Sequence, residues 1–159
     1  MLRASWLCLL VAAQVVPPAP HEIPLSLRGD WVITRIIPTR TISCWDQREA
    51  RGLLGTRIVY SADSFEWEDH GMQHSTATIR IWAKDDFLHE YCGGGPRDSC
   101  VDFGQLGIHA DRATVLTIQH PAASITGATT EIPGDWVLLK NPDTIIVSVC
   151  NLYFDAHRR

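Results

Sequence analysis

The chain has 159 residues, a length for one domain, and 45 % of them are hydrophobic, enough to fill a core of that size. A formal charge of −4 without any basic stripe excludes nucleic acid and anionic membrane surfaces as ready partners. No apolar run approaches the about 20 residues of a membrane helix, so no membrane span is expected.

The first predicted element is a secretory signal peptide over residues 1–13. Met1, Leu2 and the lone cation Arg3 precede the apolar run "ASWLCLLVAAQVV", and Val11-Ala12-Ala13 supplies small residues for cleavage after Ala13. Cys8 lies inside the run and leaves with it; a lipid-anchored cysteine would end the run. Loss of Arg3 takes the charge from −4 to −5. A periplasmic or secreted location follows. Residues 14–27, "QVVPPAPHEIPLSL", read as a loose Pro-rich lead-in, and residues 28–159 as one β-barrel domain.

From Trp31 the text turns β-like. "WVITRII" is rich in β-branched residues and stops at Pro38, and "TISCW" resumes the pattern. A single short helix is expected near residues 46–54, where Asp46 opens "DQREARGLLG" and Gly55 ends it. "TRIVYSA" and "SFEWE" alternate like strands, with Phe65 and Trp67 on one face. "DHGMQ" reads as a turn, and "HSTATIRIWAK" is the clearest period-2 segment.

"DDFLHEYCGGGPRDSCVDFGQLGI" reads as one long irregular connection. "ATVLTIQ" is a further strand, "HPAASITGATTEIPG" a polar loop, and "DWVLLK-NPD-TIIVSVCNLYF" a strand, a turn and a closing strand. Seven or eight short strands, one short helix and turn signals at regular intervals, without the helix between successive strands that a parallel sheet needs, argue an all-β antiparallel meander closing into a small barrel.

Four cysteines remain after Cys8, and they allow three pairings. Cys92 and Cys100 flank a short Gly-rich loop that a disulfide closes easily, which makes Cys92–Cys100 the first choice and leaves Cys44–Cys150. Zinc is a poor alternative for these cysteines, because no C-x2-C pair is present.

Gly-Asp-Trp-Val occurs twice, at Gly29 and Gly134. Gly frees the backbone where a strand begins, Asp takes turn hydrogen bonds, and Trp lays a large apolar plate on the core. Two such starts would serve the two sides of a barrel seam, and the cysteine downstream of each would then meet its counterpart.

Gly29-Asp30-Trp31 resembles the G-x-W signature of lipocalins, eight-stranded barrels in which a cation from the far end of the chain packs over that Trp. The resemblance implies that Arg158 or Arg159 covers Trp31, and that the protein is a non-catalytic carrier of a small apolar ligand. The chain is also similar to small exported bacterial proteins of no assigned function, sharing with them the G-x-W start, a short helix with "LLG", "LGI" before a late strand, and an aromatic-rich ending with Arg.

Other chemistry is thinly represented. His70 and His74 in "HGMQH" are the tightest histidine pair, and on one helical face they would suit zinc; at a hairpin tip that geometry is not assured. "GGGPR" lacks the Lys-[ST] of a phosphate loop, and neither G-x-S-x-G nor H-E-x-x-H occurs. No enzyme activity and no cofactor are expected. The alternatives to the carrier are an envelope protein-interaction module or inhibitor using the Cys92–Cys100 loop or the "DHGMQH" tip, and a zinc-binding protein through His70 and His74.

Overall fold

A computed structural model describes residues 21–41, 43–68, 70–92, 100–120 and 132–159, with the Cys92 side chain left out. The expected signal peptide, residues 14–20 of the lead-in and the Cys92–Cys100 pairing lie outside the described residues.

The β-branched run after Gly29 forms β1 (Gly29–Ile37). Trp31 and Ile33 point into the core; the pairing register then shifts between Ile33 and Arg35. That irregularity reverses the alternation, so that Ile36 packs against the same core and Ile37 is buried on the opposite face. Eight further strands follow: β2 (Arg57–Tyr60), β3 (Ser64–Trp67), β4 (His70–Gln73), β5 (Thr76–Ala83), β6 (Arg112–Gln119), β7 (Trp136–Asn141), β8 (Thr144–Val149) and β9 (Leu152–Arg158). Helix α1 (Gln47–Gly52) separates β1 from β2, and α2 (Lys84–Cys92) follows β5.

The strands form one curled antiparallel sheet in the order β4-β3-β2-β1-β9-β8-β7-β6-β5. The all-β meander is therefore as expected, with the first and last strands paired from Trp31↔Arg158 to Ile37↔Tyr153. Nine strands joined only by antiparallel ladders leave the two edge strands, β4 and β5, running in the same direction. They are joined by only His74 and Ser75, and are two halves of one bent strand. His74, at φ 58°, makes the bend. Ser75 is buried there, its N–H donating to Asp63 O at 2.7 Å and its hydroxyl to Met72 O at 2.8 Å. Counted this way the meander has eight strands, the even number that antiparallel closure requires. The segment read as a turn, "DHGMQ", holds β4.

Beside the bend the chain's early residues fill the wall. His21 exchanges two backbone hydrogen bonds with Ala77 of β5, and Ile23 N–H donates to Ala62 O in the β2–β3 turn. Ile23 and Leu27 are fully buried. Residues 21–27 of the lead-in are therefore part of the barrel, a correction to the loose segment expected. Their apolar side chains alternate with Pro and polar residues, which hid the burial.

Two apolar clusters lie on the two sides of the sheet. The inner one takes side chains from all nine strands, among them Trp31, Tyr60, Phe65, Leu116 and Phe154, and adds Ala50 and Leu53 from around α1. The outer one places Phe87 of α2 and Val101, Phe103 and Leu106 of the following segment over Val115, Leu138, Ile146 and Tyr153. This explains the unbroken apolar text of "TIIV" in β8, which is buried on both faces.

Helix α2 corrects the irregular connection expected after β5. Lys84–Cys92 contains no Gly or Pro, has Asp85 and Asp86 in its first turn, and buries Phe87 completely. The glycines that suggested irregularity begin after it. Of "TISCW", the described residues Thr41 and Ser43 to Trp45 are likewise in no strand; they belong to the connection that carries Cys44 to α1.

Candidate functional site

Trp31 lies inside the barrel, fully buried, its indole N–H donating to Leu27 O at 2.7 Å. The cation over it is Arg158, whose Cζ sits 4.2 Å from the ring centroid. The same guanidinium donates to Arg28 O and Ser26 O, both at 2.7 Å, and to Pro142 O at 3.2 Å. Arg159 reaches Asp30 O through its backbone N–H instead. Gly29 has φ +124°, and a Cβ there would meet Arg158 Nη1 at 2.8 Å. This is a structural clasp closing the β1–β9 seam, with each of the three guanidinium nitrogens donating to a backbone carbonyl.

The second Gly-Asp-Trp-Val behaves differently. Trp136 is half-buried on the outer face and donates its indole N–H to Tyr91 Oη at 2.7 Å. Strands β9 and β8 separate β7 from β1. The expectation that the two copies flank the seam is thus wrong, since the strand that closes the barrel is β9.

The Cys44–Cys150 disulfide is nevertheless present, with Cα atoms 5.5 Å apart. Cys44 lies in the connection after β1, and Cys150 in the two-residue β8–β9 turn with Asn151, both at positive φ. Pairing of β1 with β9 brings the two together. Cys100 is buried and is itself disulfide-bonded.

His70 begins β4 and His74 forms the bend after it, so the two stand along an extended segment and not on one helical face. His70 stacks on Trp67 with centroids 6.1 Å apart. Among the described residues no group of three or more His, Cys, Asp or Glu is placed to hold a metal.

A cavity lies near the disulfide, lined by Ser43 and Trp45 on either side of Cys44. The connection after β1 is tied to the β8–β9 turn by the Cys44–Cys150 bond and by Thr41 Oγ1 donating to Asn151 O at 2.8 Å. Helix α1 starts sharply there. Asp46 Oδ1 accepts from Arg48 and Glu49 N–H at 2.7 and 2.9 Å, while Glu49 Oε2 accepts from Asp46 N–H at 2.7 Å. Ala50 and Leu53 anchor this region in the inner core.

What remains between connection, helix and sheet is a space of about 510 Å³, within the range of small-molecule sites. Ile36, Ile37, Pro38, Trp45, Ala50 and Leu152 line it with apolar surface; Thr39, Thr41, Ser43, Asp46, Gln47 and Arg51 supply polar groups. Sequence reasoning did not single out Trp45, Arg51 or Leu152, which come together only through the β1–β9 pairing and the disulfide.

Two tyrosines have hydroxyls pushed upward in pKa, both chiefly by burial. Tyr60 is shifted well above its ordinary value, with Asp135 adding to the effect, and Tyr91 less so. Tyr60 Oη donates to Gly134 O at 2.7 Å deep in the barrel. Neither tyrosine lines the cavity. On the outer face Asp155 is buried between Arg35 and Lys140, with Lys140 Nζ at 3.2 Å, a charge cluster that ties β1, β7 and β9 together.

Among the described residues no helix is long and apolar enough to cross a membrane. No protein-family model, curated protein or solved structure matches the chain.

Proposed function

We propose that this is an exported, non-catalytic binding protein that takes a small, mostly apolar molecule in the cavity beside Cys44–Cys150. The observation that carries the reading is that 510 Å³ space, whose strand residues Ile36, Ile37 and Leu152 are apolar and whose polar groups come from the connection and α1. An apolar body would lie against Ile36, Trp45 and Leu152, with a polar end among the hydroxyls of Thr39, Thr41 and Ser43 and the cation of Arg51. A ligand in the centre of the barrel is disfavoured by the inner cluster that occupies it, so the site moves from the cup to its rim. Export draws support from the disulfide, which persists in oxidising compartments.

The test is titration with 1-anilinonaphthalene-8-sulfonate, an apolar body with one anionic group. Saturable one-to-one binding is expected, weakened about tenfold or more when Thr39→Trp fills the space. Equal binding by both proteins removes the proposal. Native mass spectrometry of protein from its own host envelope should then show a small-molecule adduct that Thr39→Trp lacks.

A further inference from the structure

Strand β5 pairs with β6 over all eight of its residues, from Thr76↔Gln119 to Ala83↔Arg112. Among the described residues its other edge is barely covered. Ala77 exchanges both of its backbone hydrogen bonds with His21 on that side. Strand periodicity aims the N–H and C=O of Ile79 and Ile81 the same way, and no described residue bonds them there. Natural sheets cover or charge such an edge, because bare backbone recruits another strand. Here the edge carries the opposite feature, an Ile81 side chain that is 67 % exposed.

The edge opens on a groove of about 590 Å³ lined by Ile79, Arg80, Ile81 and Trp82 of the strand and by Asp86, His89 and Glu90 of α2. Trp82 carries a buried indole N–H that finds no acceptor. Arg80 lies over the Trp82 ring, 5.9 Å from its centroid. Asp86 and Glu90, four residues apart, share one face of α2 and stand exposed in the opposite wall. Arg80 offsets one of these two carboxylates, so with His89 counted as neutral the groove keeps one excess negative charge.

We infer that the β5 edge is a docking site for an extended segment of a partner protein, added as one more strand, in which apolar and basic residues alternate. The segment's backbone completes the ladder that His21 begins, bonding Ile79 and Ile81. Side chains on the barrel side of the added strand meet Ile81 and want to be apolar. Side chains on the other face meet Asp86 and Glu90 and want to be basic. The site is separate from the cavity beside Cys44–Cys150 and does not depend on it.

The probe is a fluorescein-labelled Val-Lys-Val-Lys-Val-Lys peptide, followed by anisotropy on the oxidised protein, with amide exchange read by NMR. Saturable binding is expected, with exchange slowed at Ile79 and Ile81. Ile81→Pro deletes one free-edge N–H without touching the β6 ladder, and should weaken binding about tenfold. Asp86→Lys with Glu90→Lys, on an exposed helix face, should weaken it similarly and shift preference to Val-Glu-Val-Glu-Val-Glu. Circular dichroism identifies any variant that fails to fold, and the helix variant then decides alone. No binding at millimolar peptide, or binding indifferent to both changes, overturns the inference. Protection of the same amides by self-association in the ultracentrifuge overturns it too, by giving the edge to a second copy. Unchanged peptide binding in Thr39→Trp is expected, because the two sites are distinct.

Discussion

The two copies of Gly-Asp-Trp-Val share a backbone and divide on everything else. Both glycines have positive φ, +124° at Gly29 and +101° at Gly134, and a Cβ at either would crowd a side chain already in place. Beyond that, Trp31 lies inside the barrel with no exposure, and Trp136 lies outside it against Tyr91. Asp30 pairs with Arg57 at 2.8 Å, whereas Asp135 accepts the Ile132 N–H at 3.3 Å. The two do meet through one side chain: Tyr60 stands opposite Gly29 in the β1–β2 ladder and donates its hydroxyl to Gly134 O. The tetrapeptide thus specifies a tight strand start, and which face its Trp occupies is set by the strand's place in the sheet.

Substituting the two tryptophans should produce the widest separation. Trp31→Ala empties a fully buried site and leaves Arg158 without its ring, a loss of about 3–5 kcal/mol by urea denaturation. Trp136→Ala, at a half-buried site, should cost less than half as much. Equal losses would mean that the two copies do the same structural job after all.

The glycines come next. At Gly134 an added Cβ would meet Tyr60 Oη at 2.6 Å and two Ile58 carbons at 3.2 Å, all within the packed core. Gly134→Ala should therefore cost about 2–4 kcal/mol from backbone strain and overpacking together. Gly29→Ala meets only the far end of Arg158, which can swing toward solvent, so a smaller loss in thermal unfolding is expected, together with loosening of the clasp.

The smallest effect is at the link between the copies. Tyr60→Phe leaves Gly134 O without its donor and should cost about 1–2 kcal/mol. It should also change the alkaline limb of the stability curve. Burial holds the Tyr60 pKa above the unfolded value of 10.0, so the folded state keeps a proton that the unfolded state releases. Stability from this group is complete below pH 10 and falls as pH rises from there toward the folded pKa. The Phe variant should lose part of that decline, measured as denaturation midpoints between neutral pH and alkali.

Much of the fold was legible because its signals are local. Alternating "TATIRIW" marked β5, and Asp46 and Gly55 marked the two ends of the α1 segment. Cys44–Cys150 was also anticipated, but on the premise that the strands after Gly29 and Gly134 are neighbours. The bond forms because β9 lies beside β1, with each cysteine beyond a strand end. Helix α2 was missed because only Phe87 and its neighbours dock on the outer face, a weak periodic signal beside the Gly run that follows. The cavity was not legible at all, since its walls come from positions as distant as Ile36 and Leu152.

By itself the amino-acid sequence determined the class of structure: β-branched alternation makes strands, Gly and Asn-Pro-Asp punctuate them, and the capping pair starts a helix. Those are effects within a few residues of one another. Only the tertiary structure decided that His74 bends one strand into β4 and β5, that Trp31 faces inward and Trp136 outward, and that residues 21–23 complete part of the wall. Each of these depends on which strand lies beside which, and that is settled by burying both apolar faces of one curled sheet at once.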